Sequence, residues 1–220
     1  EYYDHEFESR DGYAYLVNTK DAIPVNIYMG VDLAYEATES SDYQIIMVIG
    51  IDSDRNIYVI DYMREHIPLY DMPEQILEYA REFSPVKRVN VEHVGAQGII
   101  KDAVNSLSGK ERKVAPGIAL GVRPPSGIKK EDRLESLLAP IVNRRKMFIK
   151  RSHNSLVDEM FQFPKGKNDD ILDGLWYAIN KARPPVSKKF DALDFLENKT
   201  VKSVSKTTKR VISWVTGQKI

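Results

Sequence analysis

Apolar runs separated by short polar turns predict a sheet in the first third of the chain. Residues 25–31 alternate loosely between apolar and polar positions, residues 43–51 are almost continuously apolar, and residues 57–63 form a third run after the turn-forming residues 52–56. A connection this short between two strands favours a hairpin, so these three strands are predicted to be antiparallel. The first of them ends at Asp32.

Apolar residues at helical spacing alternate with further strands in the rest of the chain. Helices are predicted from about 71 to Pro85 and at 99–107, 129–145, 155–163 and 169–183, with strands at 86–94, 118–122 and 147–149. This order predicts a mixed α/β fold, with one sheet whose first three strands are antiparallel and with helices on both faces. We interpret residues 1–24 as an irregular arm or linker, 25–183 as one domain, and 184–220 as a basic tail.

The composition excludes several classes of site. The chain has 220 residues, 42% of them hydrophobic and 29% charged, which is typical of a globular protein. It contains no cysteine, so disulfides, thiolate metal sites and cysteine nucleophiles are excluded. No apolar run approaches the roughly 18 residues of a membrane span, and no membrane partner is expected. The first residue is Glu1, and we expect the chain to be part of a longer protein.

Positive charge is concentrated in one segment although the formal net charge is zero. Residues 87–151 contain fifteen Lys or Arg residues and six acids, a surplus that suits a phosphate-rich partner. The alternative is an ordinary set of solvated helix faces. The tail is also basic, and its apolar residues recur at steps of three and four. It is either an amphipathic helix for a partner or a loosely ordered end.

Acidic residues lie at positions where strand ends and a helix start could converge. Asp32 ends the first strand, Glu92 lies near the end of the fourth, and Asp169, Asp170 and Asp173 begin the last helix. Converging carboxylates repel one another unless a cation neutralises them. Hard divalent cations prefer oxygen ligands, so this set is compatible with Mg²⁺ or Mn²⁺. Two such ions can support phosphodiester hydrolysis.

Each acid also has an ordinary structural interpretation. Asp32 could close a turn, residues 168–170 could cap the last helix, and Asp173 could lie on a solvated helix face. His93 adjoins Glu92 but is expected to pack in the core, because adjacent strand residues point to opposite faces. The sequence lacks the glycine-rich phosphate-binding loop, zinc-hydrolase histidine spacings and the nucleophile elbow of serine hydrolases.

Taken in order, these motifs resemble the C-terminal nuclease domain of large terminase subunits from tailed bacteriophages, within the ribonuclease H-like or RuvC-like superfamily. The similarity covers about residues 25–183. It depends on Gly30-Val31-Asp32, Ser41-Asp42-Tyr43 before an apolar strand, Val91-Glu92, Phe163-Pro164, the segment from Asn168 to Leu175, and the basic residues of 123–146.

The resemblance implies a metal-dependent endonuclease that cuts concatemeric viral double-stranded DNA during genome packaging. It implies two Mg²⁺ or Mn²⁺ ions, with Asp32, Glu92, Asp169 and Asp170 as catalytic ligands and Asp173 as a supporting ligand. The family more often has His at the position of Asn168 and Ala at that of Gly174, so the choice between Asp169 and Asp170 stays open. For DNA contact we predict outward-pointing basic residues on or beside helix 129–145: Lys129, Lys130, Arg133, Arg144 and Arg145.

The resemblance also implies a context. In the family a packaging ATPase domain precedes the nuclease, so residues 1–24 are predicted to connect to such a domain. The implied partners are the portal protein and the small terminase subunit, and the implied location is the packaging motor on the procapsid in the host cytoplasm. Two alternatives remain: a ribonuclease H-like module that binds DNA without cutting it, and a Holliday-junction resolvase.

Overall fold

The computed structural model describes residues 1–34, 43–93, 98–110 and 113–186. Part of the polar connection after Asp32 and nearly all of the basic tail lie outside these ranges, so the predictions made for them stay predictions. None of the described helices is long and apolar enough to cross a membrane.

The described residues form nine strands and five α-helices. The strands are β1 (Tyr2–Tyr3), β2 (Glu6–Arg10), β3 (Tyr13–Val17), β4 (Ala22–Asp32), β5 (Gln44–Ile51), β6 (Ile57–Glu65), β7 (Val86–Glu92), β8 (Ala119–Val122) and β9 (Met147–Lys150). The helices are α1 (Met72–Glu82), α2 (Gly98–Ser108), α3 (Lys130–Asn143), α4 (Asn154–Gln162) and α5 (Asp170–Ile179). A short 3-10 helix at Leu69–Asp71 precedes α1.

Strands β4, β5 and β6 form the antiparallel centre of the sheet, as the apolar pattern predicts. Every residue of β5 is buried, which explains its almost continuous apolar sequence. The turn between β5 and β6 closes on Asp52, whose Oδ1 accepts hydrogen bonds from the backbone N–H groups of Asp54 and Asn56 at 2.9 and 2.8 Å.

Parallel strands extend this centre on both sides. Strand β7 pairs with β4, β8 pairs with β7, and β9 pairs with β6. Val31 of β4 lies opposite Val91 of β7. Because parallel strands end at the same edge of a sheet, the next residues, Asp32 and Glu92, lie side by side.

Helices cover both faces of the sheet, as predicted. One buried cluster joins it to α1 and α2 through residues such as Ile76 and Val104, and the other joins it to α3, α4 and α5. The sequence pattern predicts that the last helix continues to residue 183, but α5 ends at Ile179. The Asn90 side chain donates hydrogen bonds to the backbone oxygens of Tyr177 and Asn180, both at 2.8 Å, and so satisfies carbonyls at the helix end.

The interpretation of residues 1–24 as irregular structure is wrong. Strands β2 and β3 form a hairpin, β3 pairs with β4, and β1 pairs with β9. The hairpin turns at Asp11 and Gly12, whose φ values of 52° and 78° are those that a two-residue hairpin turn requires. Residues 14–17 are all buried, and Ala14 and Leu16 pack into the core beneath the sheet. A connection to a preceding ATPase domain stays a prediction.

Glycines allow α5 to lie very close to the central strands. A Cβ atom at Gly30 would overlap the backbone N of Ala178 and the carbonyl O of Gly174. Gly174 in turn faces the side chain of Ile45, which an added Cβ would also overlap. The close approach brings the first turns of α5 towards the ends of β4 and β7.

Gly30→Ala should destabilise the protein by about 3 kcal/mol, the upper end of the usual cost of overpacking, because the added methyl group meets backbone and not a movable side chain. Denaturant unfolding measures this cost. Gly109→Ala is the matched control, because its Cβ would have ordinary contacts of 3.7 Å or more. Equal stability of the two variants would contradict the close packing of α5 on β4.

Candidate active site

Asp32 and Glu92 meet at the edge where β4 and β7 end. Their carboxyl groups share a hydrogen bond, and burial together with the charges of Asp173 and Glu92 raises the pKa of Asp32 well above its ordinary value. Tyr177 of α5 donates its hydroxyl to Glu92 Oε1 at 3.0 Å, and the N–H of Leu33 donates to Glu92 Oε2 at 3.5 Å. The Asp32 carboxyl therefore faces a second acid, which opposes its ionisation.

Asp173 is the acid of α5 whose charge acts on Asp32. It is 4% exposed, so its interpretation as part of a solvated helix face is wrong. Burial raises its pKa, and Lys130 and Arg133 of α3 oppose that rise. Lys130 Nζ lies 2.5 Å from Asp173 Oδ2, and Arg133 Nη2 donates to Asp173 Oδ1. Two cations thus neutralise a carboxylate that the fold has buried.

Asp169 and Asp170 point to different partners. Asp169 occupies the N-cap position of α5, but its side chain makes no capping hydrogen bond, and its Oδ1 accepts from Lys130 Nζ at 2.7 Å. Asp170 Oδ2 lies 3.5 Å from Arg64 Nη2. The structure therefore connects Asp169 to the Asp173 cluster through Lys130, and pairs Asp170 with a cation at the end of β6.

Glu159 of α4 supplies the cap that Asp169 does not. Its Oε2 accepts the backbone N–H groups of Ile171 and Leu172 at 3.0 and 3.3 Å, and it is 6% exposed. Its other oxygen lies 3.6 Å from Arg64 Nη1. Glu159 thereby fixes the first turn of α5, and this turn sets the positions of Asp169, Asp170 and Asp173. The sequence contains no signal for this contact, because the two helices are separate along the chain.

The prediction that all five basic residues point outward is wrong for two of them. Arg133 is 7% exposed, and its guanidinium lies over the ring of Trp176 at 4.6 Å. Lys130 turns towards Asp169 and Asp173, and these acids raise its pKa although burial lowers it, so the ammonium group stays charged. The reason is that the acids of α5 face this side of α3. Three others are exposed as predicted: Lys129, Arg144 and Arg145.

His93 lies beside the acids and packs against backbone. A Cβ atom added at Gly98 or Gly121 would come within 2.6 or 2.7 Å of its ring, so the ring fills the space that these glycines leave. Its own N–H donates to the carbonyl of Val122 at 3.0 Å. The contacts support the interpretation of His93 as a packing residue.

Asp32, Glu92 and Asp173 are oxygen donors of the kind that a hard divalent cation prefers. Among the residues that the structure describes, no group of three His, Cys, Asp or Glu side chains is arranged to hold a metal ion. The carboxylates are instead engaged with one another and with the cations of α3. The donor set fits such an ion in its chemistry, and binding would have to replace these contacts.

No protein-family model and no curated protein matches the sequence. Among solved structures, the large terminase nuclease of the thermophilic phage G20c, determined with bound zinc, aligns with a TM-score of 0.53 at 14% identity, over 81% of this chain and 93% of that one. The large terminase nuclease domain of P22 aligns with a TM-score of 0.51 at 13% identity, over 79% and 84%.

The chain has the fold of a large terminase nuclease domain. This is a ribonuclease H-like fold, so the fold class predicted from the sequence is confirmed. The yeast mitochondrial Holliday junction resolvase also aligns, with a TM-score of 0.43 at 13% identity, over 68% of this chain and 75% of that one. At these identities the likeness to the terminase nucleases establishes the fold, and the assignment of an activity depends on the chain's own residues.

Glu159→Gln should change how stability depends on pH. Burial is the main cause that raises the pKa of Glu159 from 4.5 to about 7. The unfolded chain therefore releases this proton at a lower pH than the folded chain, and the parent loses stability as the pH rises from about 4.5 to 7. Gln keeps an acceptor for the capped N–H groups but does not titrate. Relative to the parent, the variant should gain about 2 kcal/mol between pH 5 and pH 8.

Denaturant unfolding in EDTA at the two pH values measures this difference. The exposed Glu135→Gln variant is the control and should follow the parent at both. If Glu159→Gln also follows the parent at both pH values, the carboxyl does not titrate as the structure indicates.

Proposed function

We propose that the chain is a divalent-metal-dependent endodeoxyribonuclease of the large terminase type, which cuts concatemeric viral double-stranded DNA during genome packaging. The observation that supports this most is the convergence of Asp32, Glu92 and Asp173 from three distant segments onto the edge where β4 and β7 end. A buried group of acids is costly for stability alone, and such groups concentrate at functional sites. Because the chain shares its fold with terminase nucleases, we interpret these converging acids as a nuclease active site.

Asp32, Glu92 and Asp173 would hold the ions. Asp169 would lie at the edge of this site, because Lys130, which contacts Asp173, also donates to Asp169. Bound Mg²⁺ or Mn²⁺ would supply an activated water and would stabilise the departing 3′ oxygen. Asp170 faces Arg64 and is assigned a structural role.

The chain's own residues prepare this site. Tyr177 orients Glu92 through its hydroxyl, and burial raises the pKa of that hydroxyl, so it stays a donor. Arg133 holds one oxygen of Asp173. Burial and the neighbouring acids raise the pKa of Asp32, so a proton that it retains would have to leave when a cation binds, because a ligand carboxylate needs its lone pairs.

Exposed basic residues near α3 would hold the DNA backbone. Lys129 precedes the helix and Arg144 and Arg145 follow it, so the charges are about 20 Å apart at 1.5 Å per residue. That span suits contact with several phosphates of one duplex.

The same proposal includes the protein's context. Its partners would be the portal protein and the small terminase subunit, an ATPase domain would precede it, and it would act on the procapsid in the host cytoplasm.

Asp32→Asn should reduce cleavage of plasmid DNA in Mn²⁺ by about a thousandfold, because it removes a ligand charge worth several kcal/mol in the transition state. Gel analysis of plasmid cleavage gives the rates. Asp54→Asn, in an exposed turn, is the matched control.

Cleavage by Asp32→Asn at the parent's rate, or cleavage by the parent in excess EDTA, would contradict the metal-dependent mechanism. Binding of duplex without cleavage would favour the non-cutting module. A strong preference for four-way junctions over linear duplex would favour the resolvase.

The double variant Arg144→Ala, Arg145→Ala should weaken binding to duplex DNA of any sequence. Each neutralised phosphate contact contributes about 0.9 to the slope of log K against log salt, so the slope should fall by about 2. Fluorescence anisotropy in EDTA, without cleavage, measures it across a salt series. Arg55→Ala, in the exposed β5–β6 turn, is the single-charge control. An unchanged slope would place the DNA on another surface.

A further inference from the structure

Two cations of α3 divide the two oxygens of Asp173 between them. Arg133 donates to Oδ1, and Lys130 lies 2.5 Å from Oδ2. Lys130 also lies 2.7 Å from Asp169 Oδ1, so a single ammonium group bridges two acids of α5. The two cations are three residues apart on α3 and therefore lie on the same side of the helix.

The two cations differ in how easily they can leave. The Arg133 side chain is 7% exposed, and its guanidinium lies 4.6 Å from the centre of the Trp176 ring and 5.9 Å from that of Tyr177. Moving it would leave Asp173 Oδ1 buried without a cation, which is strongly destabilising. Arg133 is thus a fixed part of the core.

Lys130 is bound differently. Its side chain is 39% exposed and ends a flexible four-carbon stem, so its ammonium group can reach water by rotation alone. Asp169, its second partner, has a side chain that is 33% exposed. An ion pair at this exposure is only weakly held, because water and salt can replace either partner.

We propose that Lys130 is an exchangeable counter-ion that occupies Asp173 Oδ2 and Asp169 Oδ1 and is displaced when a divalent cation enters. Arg133 stays on Oδ1, so Oδ2 is the oxygen that Asp173 offers to the metal. This inference rests on the proposed function, since it concerns loading of the same site. Lys130 is a positioning residue that keeps the acids of α5 together before the metal arrives and competes with the metal for them.

Mn²⁺ binding without DNA tests this exchange. Lys130→Met removes the competing charge and keeps the length of the stem. Isothermal titration calorimetry should show Mn²⁺ bound about three- to tenfold more tightly than by the parent, because each partly exposed ion pair of Lys130 that binding has to break is worth up to a factor of about five. Lys87→Met, which removes an exposed charge on β7, should bind as the parent does. Lys130→Arg keeps a cation and should bind no more tightly than the parent.

Thermal unfolding gives a second readout. A purely structural role of Lys130 would not change how much Mn²⁺ raises the melting temperature. In EDTA, Lys130→Met should melt below the parent because Asp169 and Asp173 repel each other without the ammonium group. Saturating Mn²⁺ should raise its melting temperature by more than it raises that of the parent. A variant that stays equally destabilised with and without Mn²⁺ would assign Lys130 a purely structural role and overturn the exchange.

The outcomes separate the two proposals. If the parent binds Mn²⁺, and Lys130→Met binds it equally or less tightly, the exchange is wrong while metal dependence stands. If neither binds Mn²⁺, metal dependence itself is wrong and the exchange is wrong with it. Lys130→Gln repeats the comparison should the Met variant fail to fold.

Discussion

The repulsion among buried carboxylates at the ends of β4 and β7 is the constraint on which the rest of this site depends. Asp32, Glu92 and Asp173 come from segments more than 50 residues apart, and the fold presses them together in a region of low dielectric. The structure relieves the repulsion by a hydrogen bond between the Asp32 and Glu92 carboxyl groups and by two cations against Asp173.

Contacts of α5 with β4 and with α4 hold Asp173 close to Asp32 and Glu92 despite the repulsion among the carboxylates. The glycine at position 30 lets the helix lie against β4, and Glu159 caps its first N–H groups from α4. Arg64 pairs with both Glu159 and Asp170. The start of α5 is therefore fixed from two directions, by the sheet and by α4, and Asp173 has little freedom to move away from the other acids.

Much of this fold could be predicted from the sequence because its signals are local. Apolar runs and short turns gave β4, β5 and β6 correctly, and strand ends gave Asp32 and Glu92. The N-terminal hairpin also had a local signal, the Asp11-Gly12 turn followed by the apolar run 13–17, but the polar and acidic composition of the segment as a whole led to an interpretation as irregular structure. Tyr177 follows Asp173 by four residues, so helical spacing alone could have placed its hydroxyl on the side of the acids.

Other features of the site depend on contacts between distant segments, which periodicity cannot show. Arg133 looks like a surface residue until α5 is placed beside α3. The choice among Asp169, Asp170 and Asp173 depends on which way the first turn of α5 faces, and that is set by Glu159 and Arg64. The resemblance to terminase nucleases implied only a supporting role for Asp173, whereas in the structure Asp173 is the acid of α5 whose charge acts on Asp32.

The central claim is that Asp32, Glu92 and Asp173 together form a divalent-metal site. The most direct measurement is a crystal structure of the protein soaked in Mn²⁺, with anomalous diffraction to locate the metal. The account predicts an anomalous peak ligated by these three carboxylates, with Asp173 bound through Oδ2 and Arg133 still on Oδ1. A peak bound instead by Asp170 on the Arg64 side, or no peak among the three acids at saturating Mn²⁺, would contradict it.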